Sequence, residues 1–141
     1  MAITAALCTS YKKELLDGTH LAADTYKIAL FSSAATLGAS TTAWASTNEV
    51  SASGTGYTLG GLALSGFTTT TSGAVAFADF TTDPVWPNAN ITARGALIYN
   101  FSRANKAVCV LDFGADITST NANFTVTFPA ADSANALIRL N

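Results

Sequence analysis

Hydrophobic and polar positions change their period once along this chain. Between residues 3 and 17, Ile3, Leu7, Tyr11 and Leu15 recur at four-residue steps, with Thr4 placed as an N-cap and Gly18 as a stop. That spacing predicts one N-terminal amphipathic helix over residues 1–18. Lys12, Lys13, Glu14 and Asp17 fall mainly off its apolar stripe. From Thr25 onward the period becomes two: Tyr26, Ile28 and Leu30 face one way and Lys27 the other, as in a core-facing strand.

The rest of the chain reads as short strands between turn signals. Residues 32–49 are rich in Ser, Ala and Thr around an isolated Trp44, which predicts a long excursion of the kind that carries contacts. Gly54-Thr55-Gly56 and Gly60-Gly61 mark turns or bulges around Tyr57–Leu59 and Leu62–Phe67. Thr68–Ser72 favours an exposed strand edge that leads into a turn at Gly73, and Ala74–Phe80 alternates as a strand. The prolines of Asp83-Pro84-Val85-Trp86-Pro87 predict a loop. Ala93–Phe101 and Lys106–Phe113 form a hairpin across Ser102–Asn105, followed by a polar loop from Gly114 to Asn121. Phe124–Phe128 and Ala136–Leu140 supply the last strands. The expected fold is mainly β: an antiparallel β-sandwich or jelly roll over residues 25–141 with the helix attached, in a single domain of 141 residues.

Composition turns this scaffold toward association. The chain is 49% hydrophobic, only 11% charged and carries a net charge of −2, whereas globular domains average about 25% charged residues. A surface so poorly supplied with charge is expected to be covered by copies of itself or by a larger assembly. Nucleic acid is disfavoured as a partner, because seven scattered Lys and Arg at a pI of about 5.0 offer no field to phosphates. No basic-then-apolar leader opens the sequence and no run reaches the ~20 apolar residues of a membrane span, so synthesis in a cytosol and no membrane contact are expected. Cys8 and Cys109 then read as free, buried thiols, and the three Asn-x-Ser/Thr sequons as products of composition.

Chemistry-bearing residues are few. His20, the one histidine, lies in the connection after the helix without a nucleophile signature, and reads as a loop histidine. Asp79 and Asp83 flank the Pro/Trp loop, where Trp86 would stack on a sugar; the simpler reading is a turn with Trp86 filling a gap. Asp112 and Asp116 bracket a turn that lacks the further oxygen ligands of a calcium loop. No enzymatic activity, cofactor or metal site is expected. Tyr11, Trp44, Trp86, Arg94 and Arg139 are the candidate interface residues, since aromatic rings and arginines in so uncharged a chain are natural packing and pairing points; for the three aromatics core filling is the competing role.

Several framework segments resemble a known group. The run Ile91–Asn100 (Ile-Thr-Ala-Arg-Gly-Ala-Leu-Ile-Tyr-Asn), then Lys106–Gly114 and Phe128–Asp132, is similar to small virion proteins of tailed bacteriophages, as are Ile3–Ser10, Lys13–Leu16 and Tyr26–Phe31. The resemblance covers most of the chain and is thinnest over residues 34–90. It implies a capsid decoration or cement protein on the outer shell, made in the host bacterial cytoplasm, often trimeric, with the major capsid protein as partner and no catalytic residues to transfer. The alternative is a tail-associated or fibre module that contacts host carbohydrate through Trp44, Tyr57 and Trp86.

Overall fold

In the computed structural model, which describes residues 2–141, the chain is a mainly β antiparallel sandwich with one short helix. The strands are β1 (Ala6–Leu7), β2 (Tyr26–Phe31), β3 (Leu62–Ala63), β4 (Phe67–Ser72), β5 (Val75–Phe80), β6 (Val85–Ala89), β7 (Thr92–Asn100), β8 (Lys106–Thr118), β9 (Ala122–Thr125) and β10 (Ile138–Leu140), and the helix is α1 (Thr9–Leu16). They form a five-stranded sheet of order β1-β8-β7-β2-β3, a three-stranded sheet of order β10-β5-β4, and a two-stranded pair β6-β9.

The centre of the large sheet is apolar on both faces. In β2 every residue but Lys27 is buried, and β7 is buried from Gly95 to Asn100. One face, carrying Tyr26 and Ile28, packs on the three-stranded sheet: the Tyr26 ring stacks on Phe67 at 5.1 Å and meets Phe80 at 5.9 Å. The excursion between β2 and β3 covers the other face, where Trp44 stacks on Tyr99 at 5.6 Å and the Tyr99 hydroxyl donates to Gly60 O at 2.6 Å. Two covered faces give a strand its near-continuous apolar run, where a strand with one wet face would alternate.

The β7–β8 hairpin was legible, with Leu97 opposite Val110 and Asn100 opposite Lys106. Its arms bend and continue as β6–β9, so one long ribbon runs from the five-stranded sheet into the two-stranded pair. The bend is pinned by Ser119, whose hydroxyl donates to Ala89 O and accepts from Ile91 N at 2.9 and 3.2 Å, and by the Asn90–Asn121 side-chain pair.

Several boundaries differ from the sequence reading. Helix α1 starts at Thr9, with Cys8 as N-cap instead of Thr4. Ile3 bridges Leu37, and β1 pairs with β8. β-Branched Ile3 and Thr4 are indifferent helix formers, and the ladder bonds available at the β8 edge outcompete a first helical turn. Residues 83–87 are not a loop throughout: β6 runs through Pro87, which sits in the irregular step between Trp86 and Ala89 of a two-stranded pair, where a missing N–H is tolerated. The polar stretch after Phe113 is also strand, because β8 bulges opposite Arg94 and resumes its ladder at Ile117 and Thr118. Beyond Thr125, Val126 and Phe128 are buried without belonging to a strand.

Candidate functional site

A groove of about 520 Å³ opens between α1 with its following connection and the inner face of the three-stranded sheet. Tyr11, Leu15, His20 and Leu21 form one wall; Phe67, Thr69, Thr71, Ala76, Ala78, Ile138 and Leu140 form the other. The gap has a simple cause: side chains as small as Ala76, Ala78 and the threonines cannot reach the helix. None of the lining residues is Asp, Glu, Lys or Arg. Leu21 and Leu140 at the groove are about half exposed, at 49% and 45%, and Leu16, the last residue of α1, is 90% exposed. Leucines this open on a weakly charged molecule mark a surface that gains from being covered.

A polar network anchors the helical wall. Asn100 accepts the Ser102 N–H through Oδ1 and donates through Nδ2 to Asp24 Oδ2 at 2.8 Å, which fixes its amide orientation. The same Nδ2 lies 3.0 Å from His20 Nδ1, so that nitrogen is the acceptor, and Nε2–H donates to Glu14 Oε1 at 3.1 Å. Lys106 pairs with Glu14 at 3.0 Å, and Arg103 takes Asp24 at two points. Burial works to raise the Glu14 pKa, yet the bonds from His20 and Lys106 outweigh it and hold the carboxyl below its usual value. His20 lies in the connection after the helix, as the sequence reading had it, but is buried there as a joint between helix and sheet, its ring edge-on to Tyr11 at 4.6 Å.

The candidate interface residues separate into three groups. Tyr11 and Trp86 are corrected to core: they are 2% and 1% exposed and pack within their own chain, Trp86 between Tyr57 and Phe124. Burial raises the Tyr11 phenol far above its ordinary pKa. Trp44 is half-buried, stacked on Tyr99, and spends its Nε1–H on Glu49 at 3.1 Å. Arg94 faces Asp112 and Asp116 at 3.8 and 3.9 Å across the β8 bulge, and Arg139 is exposed at the centre of β10. These five residues do not converge on one surface patch: two are core, one is held in the excursion, and the arginines lie on different sheets.

The remaining acids serve the framework. Asp79 is buried and accepts Phe80 N and Leu137 N at 2.8 and 3.3 Å, tying β5 to the segment before β10. Asp83 accepts Phe128 N at 3.0 Å. Asp79 and Trp86 are buried, and Asp83 is exposed, so the three do not form one open site. Glu49 is a hub that sequence reasoning missed, accepting Tyr57 Oη, Gly60 N and Trp44 Nε1 at 2.6, 2.7 and 3.1 Å. Burial, and then the bond to Glu49, push the Tyr57 phenol pKa up. Cys8 and Cys109 are free and buried, and burial raises both thiols, Cys8 to about 11, which makes them poor nucleophiles. No group of three or more His, Cys, Asp or Glu able to hold a metal occurs among the described residues, and none of their helices is long and apolar enough to cross a membrane.

No protein-family model, curated protein or solved structure matches this chain. The surface has therefore to be read from its own chemistry. Sequence reasoning missed Leu16, Leu21 and Leu140, which are exposed apolar points along with Leu59, Val85, Phe101 and Ile117 elsewhere on the surface. The available signal was Leu16 itself, one step off the helical stripe.

Proposed function

We propose that this chain is a structural component of a tailed-phage virion, a decoration protein that binds the outer capsid shell as a homo-oligomer. One observation carries the reading: an uncharged apolar groove, edged by exposed leucines, lies open on a β scaffold where His20, Glu49, Tyr57 and Asp79 are engaged in framework bonds. Such a surface gains free energy when covered, and a protein that binds only the assembled shell stabilises it by mass action. Many symmetric copies multiply a weak contact. The segments that resemble small virion proteins, Ile91–Asn100 and Lys106–Gly114, coincide with β7 and most of β8, so they support the scaffold more than the contact.

The carbohydrate-binding alternative is left with half-buried Trp44, stacked on Tyr99, because Tyr57 and Trp86 are enclosed. The test is co-sedimentation of purified protein with expanded shells that lack it, read as copies bound per shell. Saturation at a number set by the capsid lattice is the expected result. Absence of binding at tens of micromolar protein would overturn the proposal.

A further inference from the structure

Strand β4 is a free edge of the three-stranded sheet, and its backbone dictates what can bind there. Thr81 N donates to Gly66 O at 3.0 Å, and the β4–β5 register then runs without a shift from Phe67 opposite Phe80 to Ser72 opposite Val75. Hydrogen-bonded and non-bonded pairs alternate along an antiparallel ladder. Thr68, Thr70 and Ser72 therefore turn their N–H and C=O groups toward β5, while Phe67, Thr69 and Thr71 turn theirs outward. Among the described residues no strand pairs with that outer side.

Natural edges of this length are usually guarded by lysine, proline, a bulge or a covering loop. β4 reads Phe-Thr-Thr-Thr-Thr-Ser, is unbulged, and is exposed from Thr68 to Ser72. We infer that β4 pairs with β4 of a second copy of this chain, antiparallel about a two-fold axis at Thr69. The inference rests on the reading of the protein as a self-associating component, and it names the surface used.

Register follows from the backbone. Only Phe67, Thr69 and Thr71 offer outward groups, so a ladder forms when Thr69 faces the partner's Thr69 and Phe67 faces the partner's Thr71. A slip of one residue sets outward groups against inward ones, and a slip of two shortens the ladder. The result is a six-stranded sheet of order β10-β5-β4-β4-β5-β10. Directly opposed residues share a face, so Phe67, Thr69 and Thr71 of both copies lie on one side, and the two grooves open on that same side of the joined sheet. Charge selects the identical partner: neither β4 nor the groove lining carries a charged residue, so two copies meet without repulsion, and a charged strand would lose hydration with nothing to pair it.

The experiment is sedimentation equilibrium of the isolated protein, with Thr69→Pro and Thr69→Lys as variants and far-UV circular dichroism as the control for folding. Proline at 69 removes an outward donor, and lysine sets two ammonium groups at the axis. The expected result is a concentration-dependent dimer that folded variants weaken by about tenfold or more. Amide exchange of the wild type supplies a readout that needs no variant. Phe67, Thr69 and Thr71 should become protected as concentration rises, while Thr68 and Thr70 are protected throughout. A wild type in which all three odd amides exchange freely at every concentration, or a dimer that both folded variants leave intact, overturns the inference. No shells are present, so the outcome is independent of the capsid reading.

Discussion

Asp24 and Arg103 form a two-point ion pair: the arginine Nε lies 2.9 Å from Oδ2 and one terminal nitrogen 3.0 Å from Oδ1. Seventy-nine residues apart in sequence, they tie the segment before β2 to the turn between β7 and β8. The bond from Arg103 is the main reason that the Asp24 carboxyl sits far below its usual pKa; Asn100 and the Leu21 N–H add to it against the cost of burial. A carboxyl depressed by folding contributes stability that is complete above the unfolded-state value of about 3.9 and is lost as pH falls below it. The thermal midpoint of the wild type should therefore fall between about pH 5 and pH 2 by more than that of Asp24→Asn. Equal slopes for the two proteins would remove Asp24 as a source of acid sensitivity.

Glu49 holds the excursion between β2 and β3 against the sheet through its three donors. Glu49→Ala leaves Trp44 Nε1, Tyr57 Oη and Gly60 N without that acceptor, and should cost about 3 kcal/mol in urea unfolding. The Trp44 environment should become more polar at the same time, visible as a red-shifted emission. Glu49→Gln, which keeps an acceptor oxygen, should recover roughly half of the loss. A variant within experimental error of the wild type would show that the excursion is held by packing alone.

Gly61 is the tightest backbone contact. Its φ is +79°, and a Cβ built there would fall 1.7 Å from Ile28 O in the middle of β2. Gly61→Ala should cost more than about 3 kcal/mol, enough to lower the yield of folded protein. Gly73, at the tip of the β4–β5 hairpin, has φ +58° but nothing within 4 Å of such a Cβ. Gly73→Ala should therefore cost only about 1 kcal/mol, the backbone penalty by itself. Similar losses for the two would contradict the close approach at Ile28.

Trp86 separates packing from hydrogen bonding. Its ring is 1% exposed, yet Nε1 has no hydrogen-bond partner among the protein atoms. Trp86→Phe keeps most of the apolar volume and removes an unpaired donor, so it should cost less than about 1.5 kcal/mol. Trp86→Ala should cost about 3–5 kcal/mol through the cavity it leaves. Chemical denaturation of the pair measures both, and a phenylalanine variant as damaged as the alanine one would point to a bridging water at Nε1.

Strand identity was legible wherever local pattern and partner agree. Tyr26–Phe31, Val75–Phe80 and the β7–β8 hairpin alternate or run apolar because their own sheet contacts demand it, and the Thr68–Ser72 edge was readable from β-branched residues without a core side. Reading failed where a distant segment supplied the competing bonds. Ile3–Leu7 carries a helical stripe, but Leu37 and β8 capture it in extended form. The prolines near Trp86 said loop, and only the pairing of β6 with β9 makes a strand with a tolerated gap.

The same division governs the surface. Sequence alone determined a β scaffold poor in charge with little free chemistry, because composition and periodicity act on every fold the chain can adopt. It proposed Tyr11 and Trp86 as contacts from residue type, and the tertiary structure put both inside. Exposure is a property of what packs against a side chain: Ala76 and Ala78 lie some 60 residues from Leu15 in the chain, and only their meeting leaves a groove there. Likewise, His20 became a joint only when Asn100, 80 residues away, turned its amide toward it. Long-range contacts assign these roles, and no local window of the sequence contains them.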